Sequence, residues 1–301
     1  MTTHHFTPTT WQSVLATLPP ALTIVSGDTV VTRTIDANGW DEHANKVRKA
    51  GNPMNGPIAI AGAQPGDSLK VEIIAMIPTR AEGWTRAAVA PHLVDPNFVG
   101  ELPPRKRVSW RIDRNAQTAT LEGLTGLGDL TMPLSPMIGC LGVAPAGDQA
   151  ISTATSGPNG GNMDYRRLGP GTTIWFPVAV PGALFFLGDC HAIQGDGEIV
   201  GTGIETTCEV TVRLSIDRRS IGWPRGETAR DIFTLGNARP LEQALQHATT
   251  EMIRWLIEQG LDTVSASHLL GQAVRYDIGN VYDPAYTVAC RLDKQWLPGR
   301  R

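Results

Sequence analysis

The chain has 301 residues, 41% of them hydrophobic and 18% charged, with a formal net charge of −3 at pH 7. That is enough apolar material for one large domain or two smaller ones. Acidic and basic residues are interspersed without a basic patch, which argues against nucleic acid and against a membrane surface as partners.

The N-terminal Met-Thr-Thr-His-His-Phe-Thr-Pro has no positive n-region and no apolar h-region, so no secretory signal is expected, and His4-His5 reads as part of a disordered polar terminus rather than a metal site. Residues 22–36 read as two short strands around a Ser26-Gly27-Asp28 turn, with Asp36 closing the second. Residues 57–75 repeat the design: an apolar strand, Pro65-Gly66-Asp67, then an alternating strand. Residues 80–117 carry much of the charge, including Arg105-Lys106-Arg107, and read as solvated loop with a strand near 106–112. An apolar segment broken by prolines follows at 128–143. Residues 144–172 are rich in Gly, Pro, Ser and Asn, and a loop of that length in a compact domain is usually functional or disordered.

An apolar, strand-like run extends from Ile174 to Leu187, interrupted by Pro177 and Pro181-Gly182, and a clear strand covers 205–216. Helices are predicted only late. Pro240 to Glu258 places Leu241, Leu245, Ala248, Met252 and Leu256 near one face, with Gly260 as a stop, and a second helix covers about 263–274. His247 and His268 lie on these helices without a carboxylate constellation and read as surface or packing residues. A strand from Ala285 to Leu292 ends the fold. No linker divides the chain. The expectation is one domain over 1–301, with a β core at about 15–216 and an α+β subregion at about 217–301. No apolar stretch approaches the ~18 residues of a transmembrane helix. The four cysteines, 140, 190, 208 and 290, lack C-x-x-C spacing and read as reduced thiols of a cytoplasmic protein.

The chemistry concentrates between Gly188 and Glu205. Eighteen residues carry Asp189, His191, Asp196, Glu198 and Glu205, directly after an apolar run. Ionised carboxylates and imidazole are costly to remove from water, so a metal or a substrate is the natural reason for such a cluster. In a strand, residues i and i+2 share a face. Asp189 and His191 therefore point the same way, as two ligands of one metal can, and Cys190 points away. Gly195-Asp196-Gly197 reads as a hairpin turn. A two-residue turn puts Glu198 on the His191 face, whereas a three-residue turn brings Glu205 there. The sequence leaves both open.

Gly157-Pro158-Asn159-Gly160-Gly161-Asn162-Met163-Asp164, then Gly182-Ala183-Leu184, Gly188-Asp189-Cys190-His191-Ala192-Ile193-Gln194-Gly195-Asp196-Gly197-Glu198 and Thr202-Gly203-Ile204-Glu205-Thr206 together resemble the acetamidase/formamidase family. Weaker echoes include Ser26-Gly27-Asp28-Thr29-Val30 leading to Asp36, Gly56-Pro57-Ile58 with Gly66-Asp67, and Asp283-Pro284 before a strand. The chain departs from the family pattern at Asn159, where His is usual, and at Cys190, where a small residue is usual. The resemblance implies a mainly β sandwich with a smaller α+β part, a divalent metal such as zinc, hydrolysis of small linear amides, cyclic amides such as lactams in some relatives, and a homo-oligomer.

Amide hydrolysis needs an activated water, a polarised carbonyl and a proton for the leaving amine. The chain has no G-x-S-x-G elbow. Asp189, His191 and Asp36 are the candidate metal ligands, and Glu198 is the candidate acid/base with Glu205 as its rival. Asn162, Asp164 and Gln194 are candidates for binding the substrate, although Asn162 and Asp164 read equally well as turn residues that hold their loop. The other reading is a family-shaped β sandwich that binds metal or ligand without turnover.

Overall fold

The computed structural model describes residues 1–299. Two turns of the same kind set its architecture. Ser26-Gly27-Asp28 lies between the strands Leu22–Val25 and Thr29–Arg33, and Gln64-Pro65-Gly66-Asp67 lies between Met54–Ala61 and Ser68–Pro78. In both cases the first strand belongs to one large sheet and the second to the other. Each is a crossing between layers and not a hairpin. The aspartate locks the crossing: Asp28 accepts hydrogen bonds from the amides of Thr2 and Val25, and Asp67 from the amide of Gln64. Gly27 and Gly66 take the left-handed φ the turn requires.

The nine-stranded sheet runs in the order Thr3–Phe6, Thr29–Arg33, Cys208–Asp217, Ser68–Pro78, Thr173–Pro177, Arg225–Glu227, Asp231–Ala238, Tyr286–Asp293, Arg275–Ile278. The eleven-stranded sheet is organised around Phe185–His191. One edge of that strand pairs with Met137–Val143; the other pairs with Met54–Ala61 along its first half and with Glu205–Thr206 at its end. Alternation works as physics demands. Along Cys208–Asp217, Cys208, Val210, Val212 and Leu214 face inward, and they meet Ile58, Ile60, Leu141, Phe185, Leu187 and Cys190 of the facing sheet in one core.

The helices Leu241–Glu258 and Thr263–Ala273 pack on Asp231–Ala238 and Tyr286–Asp293 through Ala244, Ala248, Met252, Leu256, Ala266 and Leu270. No helix among the described residues is long and apolar enough to cross a membrane. The mainly β fold with late helices is thus as the sequence foretold.

Several local expectations change. The N-terminal residues form the strand Thr3–Phe6 with His4 bonded to Asp28, because parallel pairing to Thr29–Arg33 offers partners that a free terminus lacks. The charged segment 80–117 contains a strand, Glu82–Arg86, as well as Arg107–Asp113. The run Ile174–Leu187 splits at its prolines between the two sheets. No tight hairpin forms at 195–197: the strand ending at His191 returns only at Glu205, through a loop of residues 192–204. Leu245 is exposed, since Ala244 and Ala248 occupy the buried stripe.

Gly236 lets the first helix sit against the sheet. A Cβ there would overlap the carbonyl oxygen of Ala244 and lie 2.5 Å from the Ala248 nitrogen. Both are backbone atoms that cannot swing aside. Gly236→Ala is expected to lower the unfolding free energy by about 1–3 kcal/mol, measured as a reduced denaturation midpoint at unchanged m-value.

Candidate active site

The centre forms where Phe185–His191 ends. His191 pairs across the ladder with Glu205, so their side chains share a face. His191 Nε2 lies 2.9 Å from Glu205 Oε1 and 3.4 Å from Asp189 Oδ1. Asp189 has φ +54°, and Gly139 on the neighbouring strand leaves room for it: a Cβ there would come within 3.1 Å of Asp189 Oδ2. Gly203, from the Thr202-Gly203-Ile204-Glu205 run, lies against the imidazole, where a Cβ would lie 2.8 Å from the Cβ of His191. Cys190, between the two, faces the apolar core and not the centre.

Gln194 fixes the imidazole. Its Nε2 donates to the carbonyl oxygens of Asp164 and Gly279, so its Oε1 must be the atom 2.9 Å from His191 Nδ1. His191 Nδ1 therefore carries a hydrogen and donates it, which turns Nε2 toward the carboxylates. A bond of this kind to the second ring nitrogen is the usual support of a metal-ligating histidine.

Two further carboxylates arrive from loops. Asp164, with φ +44°, is held by its own amide donating to Gly139 O. Glu198, with φ +48°, rides on a loop whose Gly197 N–H donates to Ile278 O and Gly279 O, and whose Gly197 O accepts from Val281 N. The result is two sets of buried groups sharing one imidazole. Asp189, His191 and Glu205 form one, and Asp164, His191 and Glu198 the other; within each, ligand-type atoms lie within 4.8 Å of one another.

An amide network ties the centre together. Asn52 Nδ2 donates to Asp189 Oδ2 at 2.9 Å and to Asn162 Oδ1 at 2.7 Å. Asn162 Nδ2 donates to Asp283 Oδ2 at 2.6 Å. Asn280 Nδ2 reaches the carbonyl oxygen of Asn162.

So much acid in so little water shifts the proton equilibria. Burial, then the charge of Glu198, raises the Asp164 carboxyl well above the carboxylate range. Burial, then Asp283, does the same to Glu198. Burial pushes Glu205 up to about 8, with the imidazole pulling the other way. Burial likewise lifts Asp283 to about 6 against hydrogen bonds from Asp164 and Asn162. For His191 burial opposes the imidazolium, but Glu205 and Asp189 outweigh it and raise its pKa well above the usual value.

Seven of the eight residues that the sequence singles out thus lie in this neighbourhood. Asp36 stands outside both sets. Its Oδ2 accepts from Arg80 at 2.8 Å and from the Trp84 indole at 3.1 Å, and its Oδ1 accepts from the amides of Asn38 and Trp40. Its position beyond the strand end made it look available, yet all its bonding capacity is spent on structure. Glu198 and Glu205 both reach His191's surroundings, because a long loop and not a tight turn joins the strands. Asn52 and Asn280 were missed, and Asp283 was noticed only as a family echo. Asn52-Pro53 and Asp283-Pro284 are Asx-Pro pairs, a turn signal that does not reveal which way the side chain points.

Fold and centre together define a class: a two-sheet β protein with a buried imidazole–carboxylate centre able to hold a metal. Residues 144–241 match the model of the Acetamidase/Formamidase family. The chain is 33% identical to the acetamidase of Yersinia enterocolitica in its crystal structure, covering 97% of this chain and 92% of that one with a TM-score of 0.84. It is 26% identical to an acetamidase of Mycolicibacterium smegmatis over 86% of this chain and 74% of that one. A protein of Schizosaccharomyces pombe provisionally named a formamidase is 27% identical over 68% of this chain, and the chain spans 63% of that relative's length. The chain belongs to the acetamidase/formamidase family.

If Asp36 serves Arg80 rather than a metal, Asp36→Asn leaves a buried guanidinium without its counter-charge. The expected outcome is a loss of about 3 kcal/mol of stability with metal content unchanged, read by denaturant unfolding and elemental analysis side by side.

Proposed function

We propose that the protein is an amidase that hydrolyses the C–N bond of small amides, linear ones such as formamide and acetamide and also small cyclic ones, to a carboxylate and ammonia or an amine, with a divalent cation, zinc, in the centre. The observation that carries this reading is the set of buried atoms with no hydrogen-bond partner: Asp164 Oδ1, Asp189 Oδ1, His191 Nε2 and Glu205 Oε2. All are acceptors or lone-pair donors, and buried acceptors without partners are rare. A cation fits them. Nitrogen and carboxylate oxygen are a usual zinc donor set, and His191, Asp189 and Glu205 would hold the ion. Bound there, it would supply Lewis acidity toward the amide carbonyl and toward water.

The chain's own residues supply the rest. Gln194 holds His191 in the ligating tautomer. Asn52 fixes one oxygen of Asp189 and leaves the other free. Glu198, whose burial favours the protonated carboxyl, holds the proton that the leaving nitrogen takes, while Asp164 and Asp283 share protons beside it. Asn162 keeps the loop that carries Asp164 in register through its bonds to Asn52 and Asp283. Burial of the whole cluster excludes bulk water, which strengthens each of these interactions. The four cysteines are buried and unpaired, in keeping with a cytoplasmic protein. The outer strands Thr3–Phe6 and Arg275–Ile278 offer edges for a homo-oligomer.

Metal analysis of the purified protein, followed by ammonia release from a panel of amides with and without chelator, tests the reading. Activity undiminished by complete metal removal would sink the metal-dependent version. Two variants refine it. Gln194→Leu is expected to weaken zinc affinity by about 10- to 100-fold, measured by competition with a chromophoric chelator. Glu198→Gln is expected to keep zinc and fold while kcat falls by about 10²- to 10⁴-fold with little change in KM; an unchanged kcat would move the proton to Asp164.

A further inference from the structure

Among the described residues, twelve buried side-chain nitrogen or oxygen atoms have no hydrogen-bond partner, and five belong to this one centre. Three belong to the residues assigned above to a cation, and a fourth is Asp164 Oδ1 beside them. The fifth is Asn52 Oδ1, and Asn52 is only 8% exposed. The orientation of its carboxamide is fixed. Nδ2 faces three acceptors, Thr153 O at 3.0 Å, Asn162 Oδ1 at 2.7 Å and Asp189 Oδ2 at 2.9 Å. Turning the group over would set an oxygen against all three, so Oδ1 is the free end.

The backbone beneath it is anchored as well. Asn52 N donates to Ala37 O, and Thr153 Oγ1 donates to the carbonyl oxygen of Gly51. With φ +53°, residue 52 sits in a region that Asn tolerates better than most residues. The side chain is thus held against the centre at two levels, by its own amide and by its main chain.

We propose that Asn52 forms the subsite for the nitrogen of the scissile amide, with Oδ1 accepting one of its N–H groups; this rests on the amidase reading above. An amide presents two chemically opposite ends. Its carbonyl oxygen seeks a cation or a donor, and its N–H seeks an acceptor. The charged acceptors of the centre suit a cation, and Asn52 Oδ1 is the neutral acceptor beside them, since it shares one planar carboxamide with the nitrogen that grips Asp189. A neutral acceptor holds an N–H without requiring a counter-charge when the amide later becomes an amine. In the reaction, a water oxygen bonds to the carbonyl carbon and the C–N bond breaks with its electron pair on nitrogen. That nitrogen takes the proton from Glu198, the proton that the attacking water gives up replaces it on Glu198, and the nitrogen's original N–H stays on Asn52 throughout. The same geometry predicts a substrate class: amides with at least one N–H, cyclic ones included, and not N,N-dialkyl amides or esters.

The test compares two nearly isosteric competitors of acetamide hydrolysis, N-methylacetamide and methyl acetate, which differ at the position of the N–H. In the zinc-loaded wild-type protein the amide is expected to bind about tenfold more tightly than the ester. In Asn52→Leu, which keeps the volume and removes the acceptor, that ratio is expected to collapse toward one; because the substitution also removes the donor to Asp189, both proteins are assayed at saturating zinc with the bound metal measured in the same samples. A ratio that survives the substitution overturns the proposal and leaves Asn52 as a support for Asp189 and Asn162 alone. Should Asn52→Leu fail to fold, the wild-type ratio still decides, because equal binding of amide and ester rules the N–H contact out. A wild-type protein that releases ammonia from no amide would instead refute the amidase reading itself, a separate and recognisable result.

Discussion

The bond between Gln194 and His191 sets the character of this protein. One glutamine amide, gripped by two backbone carbonyls, decides which imidazole nitrogen carries the hydrogen. The other nitrogen is thereby aimed at Glu205 and Asp189. In the other neutral tautomer an N–H would face the carboxylates in place of a lone pair, and the imidazole could not ligate a cation there. Everything built around it, from the glycine that backs the ring to the loop that brings Glu198, has meaning only with the imidazole in this state.

Such a centre is expensive to assemble, and the architecture reflects this. Carboxylates in an apolar interior repel one another and lose their hydration. Stability must then come from elsewhere: the core between the sheets, in which Phe176, Phe185 and Phe233 are fully buried, and the helix-covered end of the nine-stranded sheet. The strand that ends in His191 is supported on both sides, paired along one edge by a single strand and along the other by two different strands. Rigid placement of the imidazole follows from that double support. Amide side chains then complete the work. Asn52, Asn162 and Asn280 carry no charge, so they bridge carboxylates without adding to the repulsion.

The electrostatic state of the centre follows from the same facts. Protons and cations compete for identical atoms. Without a cation, burial and mutual repulsion favour protonated Asp164 and Glu198 and a charged His191. A divalent ion bound there would reverse that preference at the groups it touched, and Asp164 and Glu198, which share only His191 with the other set, would feel it less. One compact cluster can in this way hold both a Lewis acid and a proton donor.

Much of this was legible in the chain itself. Glycine, proline and period-two alternation marked the strands, and the late helices announced themselves by period and stop signals. Asp189, His191, Glu198 and Glu205 stood out because charged side chains directly after an apolar run demand a reason, and strand alternation correctly turned Cys190 into the core. What the sequence could not decide was anything that depends on where a loop returns. Whether Glu198 or Glu205 faced His191 seemed to hang on the length of a turn, yet a loop of thirteen residues delivered both. Asp36 looked like a ligand because sequence shows a side chain's chemistry but not its partners; Arg80 and Trp84, over forty residues away, had claimed it. Asn52 and Asp283 lie far from the motif in sequence and reach it only through folding, since a hydrogen bond of 2.9 Å is a statement about space. The chain's local patterns determined the strands and the chemistry on offer; tertiary structure alone decided which of those groups meet, because contact between distant segments is set by packing rather than by spacing.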